Sequence, residues 1–195
     1  MMLVDAFRTQ SILEKDSRIG KIGIAGWSLG GTVALYSAWS PIIEILGNPF
    51  NALLPFYPAA LIRPDIQNWS NSSILILHGD ADDWTPLHLV EGLMPQLPNA
   101  NLHIYQGAHH SFDCEYELTH LPKAVHLRKR TARINKNGYM TGKLFLGIPV
   151  PLNQRWQRKW IIRILRNRGA HVKGDPMARK DSLVRGREFF MKNLN

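Results

Sequence analysis

Ser28 lies in the pattern GWSLGG (residues 26–31), directly after the apolar run KIGIA of residues 21–25. The pattern Gly-x-Ser-x-Gly between a strand and a helix is typical of a sharp turn that lifts a serine hydroxyl clear of a sheet. In such a turn the amide of Leu29 points toward the reacting oxygen, and the helix N-terminus favours developing negative charge. The pattern therefore predicts Ser28 as a nucleophile and Leu29 as an oxyanion-hole donor.

The same glycines have two other interpretations. A glycine-rich turn also arises by chance, and this interpretation stays open for the pattern alone. A phosphate-binding loop likewise places glycines before a helix. Residues 26–31 lack the ending Gly-Lys-Ser/Thr and do not form Gly-x-Gly-x-x-Gly, so they do not indicate such a loop.

A nucleophilic serine needs a base that takes its proton and a carboxylate that orients the base. Two later segments supply these residue types, each directly after an apolar run. The segment HGDADDWTP (residues 78–86) contains three aspartates, and QGAHHSFD (residues 106–113) contains two histidines. Serine hydrolases whose nucleophile lies in a sharp turn between a strand and a helix have their catalytic residues in the chain order Ser, Asp, His.

Three segments together resemble the dienelactone hydrolase family of α/β-hydrolases: RIGKIGIAGWSLGG (residues 18–31), ILILHGDADDWTP and YQGAHHSFD. The resemblance covers residues 18–113, with a looser match at ARKDSLVRGREFF near the C-terminus. It implies that Asp82 is the acid and His110 the base. Asp80 or Asp83 stays open as a cap of the following helix, with Asp83 also the alternative acid, and His109 stays open as the alternative base.

The resemblance implies hydrolysis of carboxylic esters or lactones through an acyl-enzyme on Ser28, with no cofactor and no metal. Members named for dienelactone cleavage have cysteine at the nucleophile position, so the serine points instead to esterase-like chemistry. Trp27, Trp84 and Phe112 adjoin the catalytic residues in sequence and are predicted to bind substrate in the acyl pocket. Core packing is the alternative role for each of them.

Strand and helix patterns alternate along the chain. Strands are predicted at residues 21–25, 53–57, 74–77 and 102–105, and helices at the N-terminus and at residues 30–40, 86–97 and 175–194. This alternation predicts one domain over residues 1–195, with a three-layer α/β-hydrolase fold and a mainly parallel sheet. Relatives have several strands before the turn that carries the nucleophile, which is called the nucleophile elbow and corresponds here to residues 26–31. In this chain about twenty residues precede KIGIA. We therefore expect an N-terminally truncated fold that lacks the loop supplying the second amide of the oxyanion hole. The expected partner is a second copy of the chain in a homo-oligomer, or another polypeptide that completes the fold.

Charge is divided unevenly along the chain. Residues 1–120 contain five Lys or Arg and twelve Asp or Glu, whereas residues 121–195 contain nineteen and three. Residues 114–174 are here called the basic segment. They do not continue the alternation of strand and helix patterns and are predicted to be an insertion. Within it, QRWQRKWIIRILRNR (residues 154–168) predicts an amphipathic helix with Trp156, Trp160, Ile164 and Leu165 on one face. Packing of this face on the parent domain is favoured over binding to a membrane or partner.

Two other functions remain open beside ester hydrolysis: an inactive hydrolase fragment, and binding of an anionic partner through the basic C-terminal part. Nucleic acid is not expected, because no known nucleic-acid module is present. No apolar run reaches the length of a transmembrane helix, and the N-terminus has no signal-peptide pattern. With a single cysteine, Cys114, the chain cannot form an internal disulfide. A cytoplasmic location is the resulting prediction.

Overall fold

A computed structural model describes residues 2–127, 132–143 and 148–195. Its strands are β1 (Gly23–Trp27), β2 (Ala52–Phe56), β3 (Ile62–Pro64), β4 (Ser73–Gly79), β5 (Ala100–Tyr105), β6 (Thr119–His126), β7 (Ala132–Ile134), β8 (Met140–Lys143), β9 (Pro149–Pro151) and β10 (Asn167–Val172). Its α-helices are α1 (Met2–Leu13), α2 (Leu29–Tyr36), α3 (Ser40–Leu46), α4 (Leu87–Glu91), α5 (Arg155–Leu165) and α6 (Pro176–Leu194).

The central sheet contains four strands in the order β1-β2-β4-β5, and every neighbouring pair is parallel. The four strands are those predicted, extended or shifted by one or two residues at their ends. A buried parallel sheet suits their uninterrupted apolar runs, since both faces are covered. The predicted α/β fold with a mainly parallel sheet is confirmed.

Two buried clusters lie on opposite faces of this sheet. Leu53 and Leu54 are consecutive in β2 and belong to different clusters, as expected for side chains that alternate across a strand. One cluster includes Phe7 of α1 and Leu35 of α2, and the other includes Ala178 of α6. The sheet is therefore the middle of three layers, with α1 and α2 on one face and α6 on the other.

The helices differ from the predictions where proline and glycine occur. A single helix over residues 30–40 ending at Pro41 is wrong, because α2 ends at Tyr36 and Pro41 lies in the first turn of α3. Proline is well suited to a first turn, since its missing N–H has no helical partner there. The helix predicted over residues 86–97 is likewise divided into α4 and a 3-10 helix, Met94–Gln96. The start of α6 is as predicted, with Asp175 accepting from the N–H groups of its first turn.

In its described residues, the basic segment contributes to two small β-structures and forms one helix. β6 and β10 pair as an antiparallel ribbon, while β7, β8 and β9 continue a sheet that starts at β3. Residues 128–131 and 144–147 of the predicted insertion lie outside the described residues. The division of the chain at residues 114–174 stays a prediction. None of the described helices is both long and apolar enough to cross a bilayer.

The outer face of α5 corrects a further prediction. Trp156 is 68% exposed, Trp160 is 53% exposed and Ile164 is 42% exposed, so the apolar stripe does not pack on the parent domain. Ile161, which is 5% exposed, makes the buried contact instead. Trp156, Trp160 and Ile164 share one helical face as predicted, but that face points to solvent. The side chain of Leu165, the fourth residue of the predicted stripe, lies outside the described part of the structure.

Candidate active site

The turn between β1 and α2 holds Ser28 in a strained backbone conformation. Its φ is +52° and its ψ is −113°, outside the regions that a serine ordinarily adopts. The Ser28 N–H donates to the carbonyl of Phe56 on β2 at 3.0 Å, which ties the turn to the sheet. A Cβ at Gly26 would lie 2.2 Å from the Gly30 carbonyl oxygen, so this side of the turn has room only for glycine.

The structure brings Ser28, His110 and Asp82 together in one hydrogen-bonded line. The Oγ of Ser28 lies 2.9 Å from Nε2 of His110, and Nδ1 of His110 lies 2.7 Å from Oδ2 of Asp82. The three residues follow the carboxyl ends of β1, β5 and β4, which meet at the same edge of a parallel sheet. Asp82 and His110 are 3% and 2% exposed, so their contact is shielded from water, whereas Ser28 is partly exposed.

The carboxylate of Asp82 has an unusually complete set of donors. Oδ1 accepts from the N–H groups of Trp84 and Thr85, and the Thr85 hydroxyl lies 2.8 Å from Oδ2. Burial by itself would raise the pKa of Asp82, but the interactions with His110 and the other donors outweigh it and lower the pKa. Asp82 is therefore ionised and able to hold the Nδ1 proton of His110.

Thr85 is a site residue that the sequence analysis missed. Its N–H and that of Trp84 lie three and two residues after Asp82, the spacing of an Asx turn, and this spacing is the signal that was available. Thr85 is 6% exposed, and its hydroxyl also lies 3.1 Å from the Tyr57 carbonyl oxygen. It therefore connects the aspartate loop to the end of β2.

The neighbouring aspartates have other partners. Asp80 accepts from the Gly107 N–H at 2.7 Å, which joins the aspartate and histidine loops. Asp83 accepts from the backbone N–H of His171 at 2.8 Å and lies 2.9 Å from Nδ1 of the same residue. Neither caps α4, whose N-cap has no side-chain hydrogen bond, so the capping alternative is wrong. His109 faces His171, with ring centroids 6.4 Å apart.

Three aromatic residues were predicted to bind substrate. Trp27 is 48% exposed and stacks on Phe56, while the half-buried Trp84 packs 4.9 Å from the ring of His110. Phe112 is fully buried and contacts Tyr105, an environment typical of core packing. A substrate contact by Trp27 or Trp84 stays a prediction, and Phe112 offers no surface for one in this structure.

Comparison with known proteins places the chain in a family. The model of the dienelactone hydrolase family matches residues 2–138, which is more than half of the chain. The chain belongs to the dienelactone hydrolase family. Among curated proteins, none matches the chain.

Solved structures of hydrolases are similar to this family member over part of their length. Esterase PE8 is 29% identical, with 46% of this chain and 42% of that chain covered and a TM-score of 0.38. Est1E from Butyrivibrio proteoclasticus is 20% identical, with 57% and 62% covered and a TM-score of 0.47. MGS-M1, an α/β hydrolase enzyme from a Medee basin deep-sea metagenome library, is 26% identical, with 56% and 50% covered and a TM-score of 0.42. The chain thus spans about half the length of these three proteins.

An apolar cavity of about 280 Å³ adjoins the elbow of this dienelactone hydrolase family member. It lies between α2, β3 and the basic segment, and its lining includes Leu29, Leu61, Met140 and Ile161. Leu29 directly follows Ser28 and is 63% exposed. The cavity therefore includes the chain neighbour of Ser28 in its wall, although Ser28 itself does not line it, and its apolar lining is chemically suited to an alkyl or aryl group. Within the described ranges, no group of three or more His, Cys, Asp and Glu residues is arranged to hold a metal ion.

His78 lies beneath the site and couples stability to pH. It is fully buried, and Nδ1 lies 3.0 Å from the Gly79 carbonyl oxygen. Burial lowers the pKa of His78, and the nearby carboxylate of Asp82 only partly opposes this effect. His78 is therefore neutral in the folded protein, whereas the unfolded chain takes up this proton below pH about 6.5.

We expect His78→Asn to weaken the pH dependence of folding. Because the folded-state pKa is lowered, the contribution of His78 is fully present above pH about 6.5 and is lost as pH falls toward the folded pKa, by about 1.4 kcal/mol per pH unit. The free energy of unfolding from urea titrations at pH about 7.5 and about 5.5 measures the effect. The variant should lose less stability than wild type between the two, and equal losses would contradict a neutral His78.

Proposed function

We propose that this chain is a serine hydrolase of carboxylic esters or lactones that acts through an acyl-enzyme on Ser28. The observation that supports this most strongly is the continuous contact from Ser28 through His110 to Asp82, at 2.9 and 2.7 Å. Strain at the serine adds support, because a hydroxyl held in this way is typical of a nucleophile elbow. Membership in a hydrolase family points to the same chemistry.

The reaction takes place in two halves. Ser28 attacks the ester carbonyl while Nε2 of His110 takes the hydroxyl proton, and the proton then passes to the leaving alcohol as the carbon–oxygen bond breaks. In the second half, water gives a proton to His110 and attacks the acyl-enzyme, and the returning proton restores the Ser28 hydroxyl. Asp82 stabilises the imidazolium that forms in each half.

The developing oxyanion is stabilised from α2. Leu29 is the first residue of this helix, so its N–H is one of the groups without an intrahelical acceptor. The positive end of the helix dipole lies at the same point and favours negative charge on the substrate oxygen. The acyl group is expected in the apolar cavity beside Leu29.

Labelling with a fluorophosphonate probe tests this function directly, because such probes react with serines activated by a base. We expect wild type to be labelled and Ser28→Ala to be unlabelled. Ser11→Ala, which alters a serine on α1, is the matched control and should label like wild type. A probe with a longer alkyl chain should react faster if its chain enters the cavity.

Two results would contradict the proposal. Labelling that persists in Ser28→Ala would place the reactive group elsewhere. A wild-type protein that is folded by circular dichroism and remains unlabelled would indicate an inactive member of the family.

A further inference from the structure

Helix α5 presents an apolar stripe to solvent. Trp156, Trp160 and Ile164 follow one another at intervals of four residues and lie on one face of the helix. All three are exposed, whereas Ile161 on a different face is buried against the protein. Two exposed indoles on one short helix are costly in water, so this face is suited to contact with a less polar surface.

A row of cations lies beside the stripe. Arg155, Lys159 and Arg163 each precede a stripe residue by one position, which places the row about 100° around the helix from the stripe. Ile161 is turned about 100° in the opposite sense, so the stripe lies between the cations and the protein body. The helix carries no acidic residue at all. Its apolar and cationic groups therefore face outward side by side.

The sequence on both sides of α5 is also rich in cationic residues. From residue 118 to residue 174 the sequence contains fourteen lysines and arginines and no aspartate or glutamate. A surface with this charge is complementary to an anionic one, and repels cationic surfaces. A helix with indole and aliphatic groups on one side and cations on the next is the arrangement that binds in the interface of an anionic membrane.

We propose that α5 docks this protein onto anionic phospholipid bilayers, with the stripe in the interface and the cations on the lipid phosphates. Indole rings are well placed at this depth, since the ring is apolar and its N–H remains hydrated. A single-stranded RNA would also attract the cations and stack on the indoles. Ile164 favours lipid, because an exposed aliphatic group in line with the indoles gains nothing from bases or phosphates.

Co-sedimentation of the full chain with lipid vesicles tests the proposal. Vesicles of phosphatidylcholine alone are compared with equimolar phosphatidylcholine and phosphatidylglycerol, at roughly 0.1 M salt. We expect binding to the anionic vesicles and a blue shift of the tryptophan fluorescence. The double variant Trp156→Ser with Trp160→Ser should weaken binding at least about tenfold. The triple variant Arg155→Gln, Lys159→Gln and Arg163→Gln should weaken it roughly 100-fold, at about fivefold per cation.

Matched variants on α6 distinguish this surface from general charge and hydrophobicity. Met177→Ser with Leu183→Ser removes two exposed apolar side chains, and the triple variant Lys180→Gln, Arg187→Gln and Lys192→Gln removes three exposed cations. Both variants should bind anionic vesicles with an affinity within about threefold of wild type. This range applies after allowance for the weaker general attraction of a protein with fewer positive charges. Circular dichroism and thermal unfolding verify that every variant is folded.

Three outcomes would overturn the proposal. The first is equal binding to both kinds of vesicle, which would leave the cations without a role. The second is an equal loss in the α5 and α6 variants. The third is retention of wild type by single-stranded poly(U) RNA, lost in the α5 triple variant, with no binding to anionic vesicles.

Discussion

Replacing Asp82 with asparagine is expected to lower kcat for ester hydrolysis by about 10⁴-fold, the effect of the same change in serine proteases. The buried carboxylate accepts a hydrogen bond from the N–H at Nδ1 of His110. Nε2 therefore carries no proton and is free to accept the one from Ser28. An asparagine amide can donate to Nδ1 instead, which stabilises the opposite tautomer and makes Nε2 a donor. The base would then be unable to activate the serine, although the packing would change little.

Asp83→Asn is the matched control for this prediction. It removes one negative charge from the adjacent position, but its carboxylate contacts His171 on β10 and not His110. We expect a loss of less than about tenfold, since only the position of the loop is affected. Steady-state rates with p-nitrophenyl acetate give kcat and KM for both variants. Equal losses, or a larger loss in Asp83→Asn, would contradict the assignment of Asp82 as the acid.

The grouping of the three candidate catalytic residues could be predicted from the sequence because it depends on chain direction. Each residue follows a strand of a parallel sheet, and the carboxyl ends of such strands lie at one edge. Apolar runs separated by helices were enough to place the serine turn and the loops that contain Asp82 and His110 at that edge, although β2 lies between β1 and β4. The choice of Asp82 over Asp83 rested on family resemblance. The choice between His110 and His109 rested on family resemblance, because both histidines lie in the same loop.

Contacts between distant segments could not be predicted in the same way. Asp83 and His171 are 88 positions apart in the chain, and the sequence near either residue does not indicate its partner. The ribbon of β6 and β10 was missed because its side chains do not alternate clearly between apolar and polar. For α5 the period predicted the helix and its stripe, but a period states only which residues share a face. Whether that face meets protein or solvent depends on tertiary packing.

The glycines of the elbow show a similar limit. The pattern Gly-x-Ser-x-Gly names Gly26 and Gly30 as its two glycines. A Cβ at Gly26 would indeed overlap the backbone, but at Gly30 it would meet nothing within 4 Å. The close approach is at the next residue, where a Cβ on Gly31 would lie 2.4 Å from the Phe56 carbonyl oxygen. The second glycine that the packing requires, after Gly26, therefore lies one position beyond the pattern.

Gly31→Ala is accordingly expected to destabilise the protein strongly, whereas Gly30→Ala is not. The Phe56 carbonyl also accepts from Ser28, so neither strand β2 nor the elbow can move away without losing that bond. We expect a loss of about 3 kcal/mol for Gly31→Ala, which lowers Tm by about 10 °C. Gly30→Ala adds a methyl group to open space in a helix, where alanine is favoured over glycine by about 1 kcal/mol, so its Tm should stay level or rise. Thermal unfolding of both variants, followed by circular dichroism, tests this difference in Tm. Similar Tm values would mean that the backbone at Phe56 moves to accept the methyl group. The elbow would then not be held by close packing of α2 against β2.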